Sequence, residues 1–314
     1  MTRLILLHGR DTGGLDPERI EAGWLAALNT GLADAGAELR LRDDDATFVF
    51  YGDTLAAVTG GDEPPPITTH GLPGLSEDAA RFALSVAREV LSGSGVLTAT
   101  PSLEPTSLSG GSLWAALSAA LAAVDRWVPG LSSAILLLFV RDVYVYLTDD
   151  EARSTIDTGV AAAFAGDGPA VVVAHSLGSV IAYQVLRSAV PGADDVPLLV
   201  TLGSPLAITA VLDAVRALAP LTWPEPVQRW VALRDPRDLL TLNDLDPAAF
   251  PVPGPRTIEN AHVDNPVPGH HAAASLLDGR PAGYLAAPEV GALVAEALTA
   301  VRPARPGTEG ACPP

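Results

Sequence analysis

Apolar positions along the chain fall into short continuous runs that alternate with longer stretches of helical spacing. Arg3-Leu4-Ile5-Leu6-Leu7 reads as a buried first strand ending at His8-Gly9-Arg10. Asp16-Pro17-Glu18 has the form of a helix start: an N-cap acid, Pro at the first helical position and an acid in the first turn. Ile20, Trp24, Leu25, Leu28 and Leu32 then recur on one helical face, ending near Gly36. Thr47-Phe48-Val49-Phe50-Tyr51 is the next predicted strand, running into Gly52-Asp53, where the acid either touches substrate or caps a turn, the latter being preferred. Residues 59 to 75 are rich in Gly and Pro and predict a long surface loop. Helical runs follow from the Ser76 cap to about Leu91, over 112 to 127, over 131 to 147, and from Asp149 or Asp150 to about Ala165. The segment from 59 to 148 is therefore expected to be a helical insertion or cap.

From residue 170 the alternation is plain. Strands are predicted at Ala170 to Ala174, Pro197 to Leu202 and Val227 to Leu233, with helices at Leu177 to Ala189 and 206 to 218 between them. A last strand is expected within Arg256 to Val263 and a helix over 288 to 301. Strand–helix alternation of this kind predicts an α/β fold with a mostly parallel, doubly wound sheet. Residues 1 to 301 are expected to form one domain, and 302 to 314, rich in Pro and Gly, a disordered tail.

Composition narrows the chemistry. The chain has 314 residues, 48% of them hydrophobic, enough for a packed core. Its net charge of -18 disfavours nucleic acid and anionic lipid as partners. All 19 basic residues are Arg, which removes Schiff-base lysines and a Walker-type phosphate lysine. The single Cys312 lies in the tail, so neither a disulfide framework nor a thiolate metal site is expected, and the reading needs no cofactor and no metal. The longest apolar stretch, Leu131 to Val140, is too short to span a bilayer, and the N-terminal run is too short for a signal peptide. A soluble, cytoplasmic protein is the expectation. The Ala- and Arg-rich, Lys-free usage points to a high-GC bacterial genome. The sequence carries no signal for an oligomeric state.

Ala174-His175-Ser176-Leu177-Gly178 joins the Val-rich strand to an apolar helix. A serine on such a sharp strand-to-helix turn has the setting of a nucleophile, with small residues on either side because strand and helix approach closely there. A serine in this place is also an ordinary helix cap. The Leu177 N–H, at the helix N-terminus, and the Arg10 N-H, after Gly9, are the candidate oxyanion donors. Where such a turn works with an acid and a histidine on this kind of sheet, the chain order is Ser, acid, His. The strand Trp230 to Arg234 leads to two competing acids: Asp238, beyond the turn, is preferred, and Asp235, at the strand end, is the alternative. Of the six histidines, His8 and His175 lie inside motifs and His70 precedes the serine. That leaves His262, His270 and His271; the adjacent pair follows the last predicted strand, and only one of the two can face Ser176. His271 is preferred over His270.

These segments resemble lipase-like α/β-hydrolases: Ala-His-Ser-Leu-Gly-Ser at 174 to 179, Thr-Leu-Gly-Ser-Pro-Leu at 201 to 206, Trp230 through Leu240, Val263-Asp264-Asn265-Pro266 and the His pair. His8-Gly9-Arg10 and Phe50-Tyr51-Gly52-Asp53 resemble a largely uncharacterised bacterial branch of that superfamily. In that branch a His a few residues before a Tyr-Leu-type pair is catalytic. Mapped onto Leu276-Leu277, this favours His271, although the chain has Leu at 276 and its own Tyr284-Leu285 lies further on. The resemblance implies cleavage of a small-molecule ester, thioester or amide through an acyl-enzyme. An acyltransferase using the same residues, and a non-catalytic scaffold for binding, are the alternatives. Leu113, Leu117, Leu121 and Val124, with Ile135 through Phe139, either bury one another or line a cap over Ser176 that accepts an acyl chain.

Overall fold

The computed structural model describes residues 2–9, 16–59, 75–95, 105–188 and 190–300. The expected tail, Arg10, His70, Cys312 and most of the Gly/Pro-rich loop lie outside these residues. Six strands make one parallel sheet: β1 (Arg3–Leu7), β2 (Ala46–Val49), β3 (Ala170–His175), β4 (Val196–Leu202), β5 (Val227–Arg234) and β6 (Glu259–His262), in the order β2-β1-β3-β4-β5-β6. The chain winds outward from β1 to β2, then returns to the other side of β1 and proceeds from β3 to β6. The reversal leaves a crevice between the carboxyl ends of β1 and β3, where open parallel sheets bind ligands.

Period-two alternation sends side chains to two layers. Leu4, Leu6, Val171, Val173, Leu198 and Val200 meet α1 (Pro17–Asp34) and α9 (Pro288–Thr299) on one face. Ile5, Leu7, Val172, Ala174 and Leu199 face the opposite layer. That layer holds α2 (Gly52–Thr59), α3 (Glu77–Gly93), α4 (Gly110–Trp127), α5 (Ser133–Thr148), α6 (Asp150–Ala162), α7 (Leu177–Arg187) and α8 (Thr209–Leu218). Burial on both faces explains why the central strands are continuous apolar runs. The two helices α1 and α9 approach closely: a Cβ on Gly291 would lie 2.2 Å from the Gly31 carbonyl carbon.

The helices between 77 and 148 share the sheet's core. Leu113, Leu117, Leu121 and Val124 are all nearly or wholly buried in it, so the apolar face of α4 is structural. Two local features differ from the expectation. The second strand stops at Val49; Tyr51 turns inward and α2 begins at Gly52, with Asp53 in its first turn. A short antiparallel hairpin, β7 (Ser275–Leu277) with β8 (Arg280–Ala282), follows the histidine pair.

Candidate active site

Ser176 sits between β3 and α7 with φ 52° and ψ -125°, a strained conformation for a residue with a side chain. The surroundings hold it there. Its N–H donates to the Leu202 carbonyl at 2.9 Å, and its carbonyl accepts from the Ser179 N–H at 2.9 Å and the Ser179 hydroxyl at 2.6 Å. The small residues around it have definite reasons. A Cβ on Gly178 would lie 2.4 Å from the His8 carbonyl oxygen, and one on Gly9 would lie 2.9 Å from the Ser176 Cβ. Ala174 is fully buried in the strand, opposite Leu7 of β1. The Ser176 side chain makes no capping bond to α7, so the ordinary helix-cap role is not the one it fills.

Its hydroxyl instead meets His271: Nε2 lies 2.8 Å from Ser176 Oγ, and Nδ1 lies 2.7 Å from Asp238 Oδ2. An ionised carboxylate only accepts, so Nδ1 carries the proton and Nε2 is left to accept from the serine. The Asp238 side chain is fully buried, whereas His271 keeps 18% exposure. Burying that charge is offset by three donors: His271, the Leu240 N–H at 3.0 Å to Oδ1, and the Tyr284 hydroxyl at 2.7 Å to Oδ2. Tyr284 also accepts from the Asp235 N–H at 2.9 Å. Burial, followed by the charge of Asp238, pushes its phenol pKa upward, which keeps the hydroxyl a donor. Gly203, at φ +56°, opens the space: a Cβ there would stand 3.0 Å from the Tyr284 ring and 3.3 Å from Asp238 Oδ2.

The alternative pair is occupied elsewhere. Asp235 accepts from the Arg237 N–H and guanidinium and from the Asn265 N–H at 2.7 Å. Burial alone would raise its carboxyl, but these donors outweigh it and hold the group at about 2. Arg237 also pairs with Asp264, so Asp235 ties the acid loop to the histidine loop. His270 has φ 56°, and its Nδ1 donates to the Asn265 carbonyl at 2.7 Å. Asn265, fully buried, donates in turn to the carbonyls of His270 and Ala272, clamping the backbone on both sides of His271. His262 pairs with Asp244 at 2.9 Å, away from the serine.

Two further histidines sit under the site in the neutral form. His175 Nε2 donates to the His271 carbonyl at 2.6 Å, and His8 Nε2 accepts from the Tyr51 N–H at 3.1 Å, leaving His8 Nδ1 to donate to Gly9 at 2.5 Å. The Tyr51 hydroxyl donates to the His8 carbonyl. Burial lowers His8 to about 4 from an ordinary 6.5; burial also lowers His175, with the neighbouring His271 as a second cause. The unfolded chain takes up these protons first. The stability that neutral His8 contributes is therefore complete above about pH 6.5 and is lost as pH falls toward about 4. Urea midpoints measured across that window should fall with acidification, and His8→Gln should make the fall shallower. A midpoint that is flat across the window would contradict the buried neutral assignment.

Leu177 opens α7, and its N–H has no acceptor among the described residues. It is thus placed, with the start of the helix, beside the serine oxygen. The other expected oxyanion donor, Arg10, lies outside the described residues, but Gly9 before it runs directly against Ser176. A cavity of about 660 Å³ opens over Ser176 and His271. Ile20 and Trp24 of α1, Leu131 and Ile135 at α5, Leu239, and Leu276 of the hairpin give it an apolar wall. Of the described residues in the segment expected to form a cap, only 129–131 and Ile135 reach it. Leu276 is 72% exposed at its mouth, and the residue that touches the acid is Tyr284, not the Leu276-Leu277 pair. Among the described residues no three His, Cys, Asp or Glu side chains are grouped to hold a metal ion. No helix among them is long and apolar enough to cross a membrane.

The molecule is therefore an α/β protein with a parallel sheet and a hydrogen-bonded Ser–His–Asp chain at its topological switch point. No protein-family model matches the sequence, and no curated protein matches it.

Proposed function

We propose that the protein is a serine hydrolase of the α/β-hydrolase type that cleaves an ester by way of an acyl-enzyme. The observation that carries this reading is the unbroken chain from buried Asp238 through His271 to Ser176, at 2.7 and 2.8 Å. Ser176 Oγ attacks the ester carbonyl carbon while His271 Nε2 takes its proton. The oxyanion that forms accepts from the Leu177 N–H and, on this reading, from the Arg10 N–H. Asp238 holds the imidazole in the required tautomer and stabilises the imidazolium. His271 returns the proton to the departing alcohol, and water then releases the acid by the same steps.

The apolar cavity supports an aliphatic acyl group. Each buried methylene contributes about 0.8 kcal/mol, roughly fourfold in kcat/KM when realised in the transition state. With p-nitrophenyl esters the expected result is a burst of nitrophenol stoichiometric with enzyme, its absence in Ser176→Ala, and kcat/KM rising from acetate to medium chains. Turnover that persists in folded Ser176→Ala would overturn the reading.

A further inference from the structure

The cavity differs from the rest of the molecule in charge. The chain has 37 acidic residues and 19 Arg, yet no Asp or Glu is among the described residues that line the cavity, and two Arg are. Arg237 is already engaged by Asp235 and Asp264. Arg19 is different. It is exposed, and its side chain makes no hydrogen bond or ion pair with any described residue.

Arg19 shares its place on α1 with Ile20, Gly23 and Trp24, all on the cavity wall. The spacing sets Arg19 and Gly23 one turn apart on the same side of the helix. Glycine inside a helix weakens it relative to alanine. At Gly31 on the same helix a close contact explains the choice, since a Cβ there would lie 2.6 Å from the Leu285 carbonyl oxygen. At Gly23 a Cβ would meet nothing within 4 Å. No described neighbour requires the glycine; without a side chain there, the cavity wall has an open trough beside Arg19.

We infer that this trough is a subsite for an anionic group: the ester substrate carries a carboxylate on an aliphatic spacer that runs over Gly23 to the guanidinium of Arg19. The inference rests on the serine-hydrolase reading and adds the substrate class to it. Ile20 and Trp24 shield the spacer, while the Arg19 guanidinium, unpaired among the described residues, gives the carboxylate charge-assisted hydrogen bonds. An acidic protein surface would otherwise repel such a substrate.

The test is a ratio of specificity constants, for a carboxylate ester over its methyl-capped neutral analogue of equal length. One arm places the carboxylate on the acyl side, as the p-nitrophenyl hemi-esters of succinate and adipate. The other places it on the alcohol side, as acetyl esters of hydroxy acids. In one arm the wild-type ratio should reach about tenfold at low salt and shrink with added salt. Arg19→Gln should bring that ratio to near one, and Arg19→Glu below one. Arg40→Gln, the same charge change on an exposed residue away from the cavity, should keep the wild-type ratio. Gly23→Leu favours the helix, and where the acyl arm shows the ratio it should depress adipate turnover more than succinate turnover. Should neutral esters turn over while the ratio is near one in both arms, or is unmoved by Arg19→Gln, the anionic subsite falls and the hydrolase reading stands. Should no ester turn over, titration calorimetry of the carboxylate esters against Ser176→Ala decides. Weaker binding in the Ser176→Ala, Arg19→Gln double variant upholds the subsite, and equal binding overturns it.

Discussion

Replacing His271 with Ala is expected to lower kcat by about 10⁴ or more, while His270→Ala should cost far less. The two residues are adjacent, but their rings have different partners. His271 bridges Ser176 and Asp238, and His270 is bonded to the Asn265 carbonyl. The acids should divide in the same way. Asp238→Asn keeps the size of the side chain but presents either an amide donor or a neutral oxygen to His271 Nδ1. The favoured tautomer then leaves Nε2 protonated, unable to accept from Ser176, and a loss of about 10⁴ is expected. Asp235 touches neither His271 nor Ser176, and its carboxylate is held by Arg237 and Asn265. Asp235→Asn should loosen the link between the two loops and lower stability, with a much smaller loss in kcat. Steady-state kinetics on one activated ester, with circular dichroism to confirm folding, gives all four values. The reverse ranking within either pair would move the role to the neighbour.

The second large effect is on stability. In Gly178→Ala the new methyl would stand 2.4 Å from the His8 carbonyl oxygen and 2.6 Å from the Leu7 carbonyl oxygen. Both are backbone atoms, at the end of β1 and the residue after it, and neither is the end of a side chain that could rotate away. The strand β1 or the helix α7 must shift, and overpacking of this kind costs about 3 kcal/mol or more. The same shift would pull Leu177 and Ser176 away from Gly9. Gly159→Ala is the matched control. It lies inside α6, where a Cβ would meet nothing within 4 Å, and alanine should be neutral or stabilise by up to about 1 kcal/mol. Urea midpoints for the two variants should therefore move apart. A Gly178→Ala protein as stable as wild type would show that the strand and helix are not packed as described.

Much of this arrangement was legible in the sequence because it follows from local rules. The apolar runs of β1, β3 and β4 are continuous, since both faces of a parallel sheet are covered. Asp16, Ser76 and Asp149 announce their helices, and each accepts a capping bond in the structure. What could not be read depends on contacts between distant segments. The hairpin of Ser275–Leu277 with Arg280–Ala282 has three residues a side and a proline, too little for alternation to register. The choice between Asp235 and Asp238 turns on Arg237, Asn265 and Tyr284, and the last of these lies 46 residues from the acid it touches. The choice between His270 and His271 turns on a backbone angle, φ 56° at His270, that no side-chain pattern encodes. Tyr284 did leave a trace as a Tyr-Leu pair beyond the histidines, but three-residue strands and a turn intervene before it. The cavity wall was the least legible part. The leucines of α4 that look like a cap are core, and the wall is shared by α1, the turn before α5 and the hairpin.

On the proposed reading, His271 activates Ser176 for attack on an acyl carbon. Covalent labelling tests it most directly. The intact protein is treated with a fluorophosphonate, digested, and mapped by mass spectrometry. One adduct per chain is expected, on Ser176, with labelling abolished in Ser176→Ala and strongly slowed in His271→Ala while both variants remain folded. An adduct on another residue, or labelling that survives in folded Ser176→Ala, would contradict it.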